Sequence, residues 1–139
     1  MYPYLKILFI CKNDASKSQI AKSYYDSFSC STSNSLIAGI GDVSLLKSQT
    51  LEPEILQMMK EEKINLTMEK IESATEEMVK KFDRIVIFCK KEDCPGFLLK
   101  HPSIYFWEIE DIHGVSIEKL HSIKNEIKLK VFDLLRIRW

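Results

Sequence analysis

Apolar residues run continuously in two short stretches of the chain and recur periodically in several longer ones. "LKILFI" (residues 5–10) and "DRIVIF" (83–88) read as strands buried on both faces, as in a parallel sheet covered by helices. Ile20, Ala21, Tyr24, Tyr25 and Phe28 follow helical spacing and predict an amphipathic helix. "NSLIAGI" (34–40) predicts a second strand, ending at Gly39 and Gly41. "LEPEILQMMKEEK" (51–63) predicts a helix with Pro53 in its first turn, acidic residues early and lysines late. "TEEMVKKF" (75–82) predicts a third helix behind a capping-box-like region at Ser73 and Thr75. "SIYFW" (103–107) reads as a further strand. From Ile117, residues Leu120, Ile123, Ile127, Val131 and Leu134 predict a long C-terminal helix.

The order is strand, helix, strand, helix, helix, strand, strand, helix. Alternation of this kind predicts an α/β fold in three layers, a four-stranded parallel sheet with helices on both faces. Ligands of such sheets sit beyond the carboxyl ends of the strands. Cys11, Cys89 and the segment after Trp107 all fall there.

A chain of 139 residues with 45% hydrophobic content is expected to form one domain, residues 1–139. Twenty basic and twenty acidic residues cancel, so no overall field favours nucleic acid or an anionic membrane. An anion site must therefore be local. The N-terminal apolar run is too short for a signal core, and no stretch approaches the ~20 apolar residues of a membrane span. A cytoplasmic location follows as the expectation. Cys11, Cys30, Cys89 and Cys94 are irregularly spaced, unlike a secreted disulfide framework, which leaves reactive or simply buried thiols.

The turn between "ILFI" and the first helix holds Cys11, Lys12, Asn13, Asp14, Ala15, Ser16, Lys17 and Ser18. A strand-to-helix turn points backbone amides and the positive end of the helix dipole into one concavity, a nest suited to a tetrahedral oxyanion. A thiol at its rim feels the same field, which can lower its pKa from about 8.5 into the ~3.5 to 7.5 range. Ser18 is placed to donate to the thiolate and Lys17 to balance the anion. The alternative is that Cys11 is a small apolar residue closing a strand.

"FCKKEDCPG" sets Cys89 at a strand end and Cys94 before Pro95. Residues five apart span ~17 Å when extended, whereas a disulfide needs Cα atoms about 5.5 to 6 Å apart, so bridging requires the loop to fold back. Zinc binding with His101 and two unrelated buried cysteines are the other readings. In "WEIEDIHG", Glu108, Glu110 and the sheet edge would favour the protonated form of Asp111; the alternative is a solvated acidic turn. His113 reads as a surface histidine, Cys30 carries no assigned role, and Trp139 reads as packing.

Cys11, five intervening residues, then Lys17 and Ser18 resemble the phosphate loop of the low-molecular-weight protein tyrosine phosphatases and thioredoxin-coupled arsenate reductases. That signature is cysteine, five residues, arginine, then serine or threonine. The similarity extends through "IAGIGDVSLLKSQTLEPEILQMMKEEKINL", "DRIVIFCKKEDCP" and "FWEIEDIHG". It implies a four-stranded parallel sheet, Cys11 as nucleophile, residues 12–17 as the anion-binding loop, and Asp111 as the acid that protonates the leaving group.

Two residues of the turn depart from the pattern. Lys17 replaces arginine, and an ammonium lacks the planar two-pronged grip of a guanidinium. Loss of one charge-assisted bond of about 1.5 to 3 kcal/mol in the transition state slows a reaction roughly ten- to a hundredfold. Asp14 stands where the family has asparagine. Aspartate tolerates the left-handed turn geometry, but at ~8 Å and an effective dielectric near 20 its charge opposes an anion by about 2 kcal/mol unless Lys12 or Lys17 pairs with it. Ile112 also replaces the proline that usually follows the acid.

The arsenate reductase branch implies a relay in which a second and a third cysteine, by position Cys89 and Cys94, release arsenite and resolve the disulfide for thioredoxin or another thiol. Gln19, where phosphatases have proline, and Ile112 and His113, where they place tyrosines, resemble this branch. The expected function is thus an arsenate reductase-like enzyme needing no cofactor or metal. The alternatives are a phosphatase acting on phosphotyrosine or another phosphomonoester through a phosphocysteine, and a weakly active or non-catalytic oxyanion-binding relative.

Overall fold

The computed structural model describes residues 5–30, 34–67 and 70–136; Trp139 lies outside them. The elements are β1 (Ile7–Cys11), α1 (Ser16–Ser29), β2 (Ser35–Gly39), α2 (Ser44–Ser48), α3 (Pro53–Lys60), β3 (Glu72–Ser73), α4 (Glu76–Val79), β4 (Arg84–Ile87), α5 (Gly96–Leu99), β5 (Ile104–Phe106) and α6 (Ile117–Arg136). A 3-10 turn, Lys91–Asp93, follows β4.

The sheet is parallel throughout, in the order β3-β2-β1-β4-β5. It therefore has five strands where the apolar pattern predicts four. The addition is β3, whose exposed Glu72 and Ser73 pair with Ala38 and Gly39 and bury nothing that a hydrophobic run could announce. The chain builds outward from β1 through β2 to β3, then returns to place β4 on the other side of β1. That reversal opens a crevice at the carboxyl ends of β1 and β4, where sheets of this kind bind ligands.

Side chains alternate across each strand and divide the core into two layers. Ile7, Phe9, Cys11, Ile37 and Val86 face α1, α3 and α6, meeting Tyr24, Tyr25, Met59, Ile127 and Val131. Leu8, Ile10, Ala38, Ile85 and Ile87 face α4 and α5, meeting Val79 and Leu98. Helices thus cover both faces, as the continuous apolar strands predict.

Local signals explain several boundaries. Pro53 opens α3 and Lys63, in the left-handed region at φ 64°, closes its last turn. Thr75 caps α4 by accepting the Met78 amide at 3.1 Å. At Gly39 a Cβ would lie 2.5 Å from Leu46 Cδ1 and 2.8 Å from Val43 Cγ1, so glycine lets α2 press against the end of β2. No described helix is long and apolar enough to cross a membrane.

Candidate active site

The loops after β1, β4 and β5 enclose a cleft of about 880 Å³ at the crevice. Lys12 and Asn13 contribute one wall, Cys89 to Asp93 a second, and Trp107 to Glu110 a third. Phe88 and Trp107 form an edge-on aromatic pair at its base, centroids 5.6 Å apart. The three segments singled out in the sequence meet here.

Cys11 ends β1 fully buried, and its thiol points to the Ala38 carbonyl at 3.6 Å. Burial pushes the thiol up to about 12; the nearby Ser18 hydroxyl pulls it down and Asp14 raises it further. The lowered pKa expected of a loop thiol is therefore absent in this arrangement, because desolvation of the charged form outweighs the favourable neighbours. Ser18 Oγ is itself buried and completes no regular hydrogen bond, which leaves the hydroxyl available to the sulfur.

The loop is closed on itself rather than an open nest. Asn13 takes the left-handed conformation at φ 69°, so the turn falls one residue before Asp14. The Asp14 amide donates to Lys12 O at 2.8 Å, the Ala15 amide to Gln49 Oε1 at 3.0 Å, and the Ser16 amide to Asp14 Oδ1 at 3.1 Å. The side-chain Nε2 of Gln49 in turn donates to the Asn13 carbonyl. Protein acceptors thus meet three amides of the turn in this arrangement.

Neither lysine compensates Asp14. Lys12 pairs with Asp93 at 3.1 Å, and Lys17 donates to the Ile109 carbonyl at 2.8 Å, reaching across to the loop after β5. The partner of Asp14 is His113, whose Nε2 lies 2.8 Å from Asp14 Oδ2. The other ring nitrogen meets Glu52 at the start of α3. His113 is thus a bridging residue instead of a plain surface one. Nothing in "DIHG" signals this, because its partners lie 99 and 61 residues away in the chain.

Asp111 is exposed rather than sheltered, and its carboxylate accepts the His113 amide at 3.0 Å. Polar atoms of Asp14, Asp111 and His113 lie within 4.8 Å of one another, so the loop brings Asp111 to the rim of the Cys11 turn. Glu110 pairs instead with Lys119 at 2.8 Å.

The 3-10 turn folds the chain back so that Cys89 Sγ and Cys94 Sγ stand 3.7 Å apart as free thiols. Burial and the facing sulfur hold the Cys89 thiol up, to about 12, and burial chiefly raises that of Cys94. His101 makes no zinc site with them: its Nε2 faces the Phe82 carbonyl at 2.8 Å and its Nδ1 accepts the Ser103 amide. Cys89 and Cys94 pack on the Leu8 and Ile10 side of the sheet, whereas Cys11 lies on the Ile7 and Phe9 side. Cys94 also lines a separate hollow of about 390 Å³ beside Gly41 and Pro95.

A parallel sheet with helices packed on both faces in this arrangement is the fold shared with the arsenate reductases and low-molecular-weight protein tyrosine phosphatases. An arsenate reductase solved in the reduced state superposes with a TM-score of 0.75 at 20% identity, covering 95% of this chain and 97% of that one. The low-molecular-weight protein tyrosine phosphatase from T. tengcongensis gives 0.71 at 18% identity, over 94% and 97%. The glutaredoxin arsenate reductase of Synechocystis sp. is 21% identical over 135 residues, 94% of this chain and 95% of that protein. No protein-family model matches the chain. The resemblance read from the Cys11 turn is thereby met over nearly the whole chain.

Proposed function

We propose that the protein is a thiol-dependent oxyanion reductase of the arsenate reductase kind. The observation that carries this reading is the Cys89 and Cys94 pair, two thiols 3.7 Å apart with Cys89 on the wall of the cleft that the Cys11 turn also lines. A phosphatase needs only the nucleophile and the acid. An arsenate reductase solved in the phosphate binding state has the same fold, with a TM-score of 0.74, which supports placing a tetrahedral anion at this loop.

In the proposed reaction the Cys11 thiol gives its proton to the bound arsenate dianion and attacks arsenic(V) as the thiolate, and an arsenic hydroxyl leaves as water with a proton from Asp111. Cys89 then attacks Cys11 Sγ, its thiol proton passing to an oxygen of the departing arsenic. A sulfur–sulfur bond forms, the sulfur–arsenic bond breaks, and its electron pair stays on arsenic, which departs as arsenite. Cys94 attacks Cys89, joining Cys89 to Cys94 and freeing Cys11 as a thiolate. An external dithiol reduces the final disulfide. Because Cys11 and Cys89 lie on opposite faces of the sheet, the second step requires residues 89–94 to swing around the strand ends. Cys94 opens on its own hollow, so the external thiol need not enter the oxyanion cleft.

The test is arsenate turnover coupled to thioredoxin, thioredoxin reductase and NADPH, with glutathione and glutaredoxin as a parallel arm because the Synechocystis relative is a glutaredoxin arsenate reductase. Cys94→Ser is expected to abolish sustained turnover while still releasing about one arsenite per chain, and Cys11→Ser to release none. Sustained turnover by Cys94→Ser contradicts the relay. Hydrolysis of p-nitrophenyl phosphate without arsenite formation supports the phosphatase alternative instead.

A further inference from the structure

We propose that His113 is the positioning residue that makes the Cys11 turn competent to hold an anion, by clamping and charge-compensating Asp14. The proposal rests on the reading of that turn as an oxyanion site. Asp14 brings a negative charge into the turn, and neither Lys12 nor Lys17 answers it, since each is committed elsewhere. Its Oδ1 accepts the Ser16 amide at 3.1 Å and the Ser16 hydroxyl at 3.0 Å, while its Oδ2 is left to His113 Nε2.

The ring is flanked by acceptors on two sides. Asp14 faces Nε2 and Glu52 faces Nδ1, and Ser16 Oγ lies 3.5 Å from Nε2. A neutral imidazole carries one N–H and can serve only one of two carboxylates, whereas the imidazolium serves both. The charged groups facing it are Asp14 from the β1 turn, Glu52 from the start of α3, and Asp111 from its own loop. Burial disfavours the imidazolium, but Glu52 and Asp14 more than offset this and raise its pKa above the ordinary histidine value. The clamp is therefore complete at and below pH 6.5 and is lost as pH rises through the raised value.

The clamp also places the acid loop. The His113 amide holds the Asp111 carboxylate, and Lys17 ties Ile109 of the same loop to the start of α1. The two departures within the turn, Lys17 and Asp14, thus both reach to the loop after β5. With His113 protonated, Asp14 presents a compensated charge to an incoming anion. With His113 neutral, Asp14 repels the anion and one tie of the loop is gone.

Sulfate is the probe, because it remains a dianion from pH 6.5 to 9.5. Its binding is followed by NMR titration in a Cys11→Ser background, which removes thiol ionisation from the readout. The parent is expected to bind at least about tenfold more weakly at pH 9.5 than at pH 6.5, as loss of one compensating charge near the anion requires. His113→Gln should show the weak value at both pH values. Asp14→Asn should bind at least as tightly as the parent at pH 6.5, with less than about a twofold change over the range, with or without His113→Gln. A pH-independent parent, tight binding by His113→Gln, or a pH dependence that survives Asp14→Asn overturns the clamp alone. Absence of sulfate binding at pH 6.5 in every variant overturns the anion site and the clamp together.

Discussion

The Lys17 ammonium donates to the Ile109 carbonyl at 2.8 Å, in the loop after β5. An ammonium that leaves this carbonyl offers an anion one point charge, whereas a guanidinium offers two parallel donors. Lys17→Arg is therefore expected to raise kcat/KM for arsenate about ten- to a hundredfold, measured by steady-state turnover. An unchanged value contradicts the account of that position. Cys11, Lys17 and Ser18 stand out as candidates through the strand-to-helix turn and the resemblance of its spacing to a known loop. The partners of Asp14 and Lys17 are not, because each is chosen by a chain segment that only the fold brings near. The high thiol pKa of Cys11 has the same origin, since the pattern of a turn conveys its dipoles but not how deeply the sulfur is buried.

At the scale of elements, α1, α3 and α6 are joined by a charged knot as well as by apolar contact. Glu62, just past α3, accepts from Lys124 at 2.8 Å, Lys128 at 2.6 Å and Tyr24 at 2.6 Å. Partial burial raises the Glu62 carboxyl, but these three donors outweigh it and lower the pKa to about 2, from 4.5. A depressed carboxylate stabilises the fold above its unfolded pKa and ceases to do so as pH falls through the folded one. Glu62→Gln is expected to cost about 1 to 2 kcal/mol near pH 7, a difference that shrinks between pH 4.5 and pH 2 in urea unfolding. A difference that persists unchanged to pH 2 contradicts the assignment. The strands β1 and β4 are legible as continuous apolar runs, and α1 and α6 because their apolar positions repeat over several turns. By contrast β3, α2 and α5 are two to five residues long, too short for any period to emerge. They form because the neighbouring chain holds them, as Leu46 of α2 is held over Gly39.

Across the molecule, the order β3-β2-β1-β4-β5 gathers the chemistry at one place. The reversal between β1 and β4 sets Cys11 and Cys89 on adjacent strand ends, and β5 brings the loop of Asp111 alongside. That convergence on one sheet edge can be read from the order of elements. The division of the cysteines between the two faces cannot, because it depends on the register in which β4 meets β1 and on the fold-back of the 3-10 turn. The structure holds Cys89 and Cys94 ready to join each other and Cys11 apart from both, so the relay predicts motion in residues 89–94 and little elsewhere.

The central claim is that arsenate is reduced at the expense of the protein's own thiols. It is tested by adding one equivalent of arsenate to the fully reduced chain with no external reductant, then counting arsenite, free thiols and disulfide-linked peptides. The expected result is about one arsenite per chain, two of the four thiols lost, and Cys89 linked to Cys94. Four free thiols and no arsenite after prolonged incubation would contradict it.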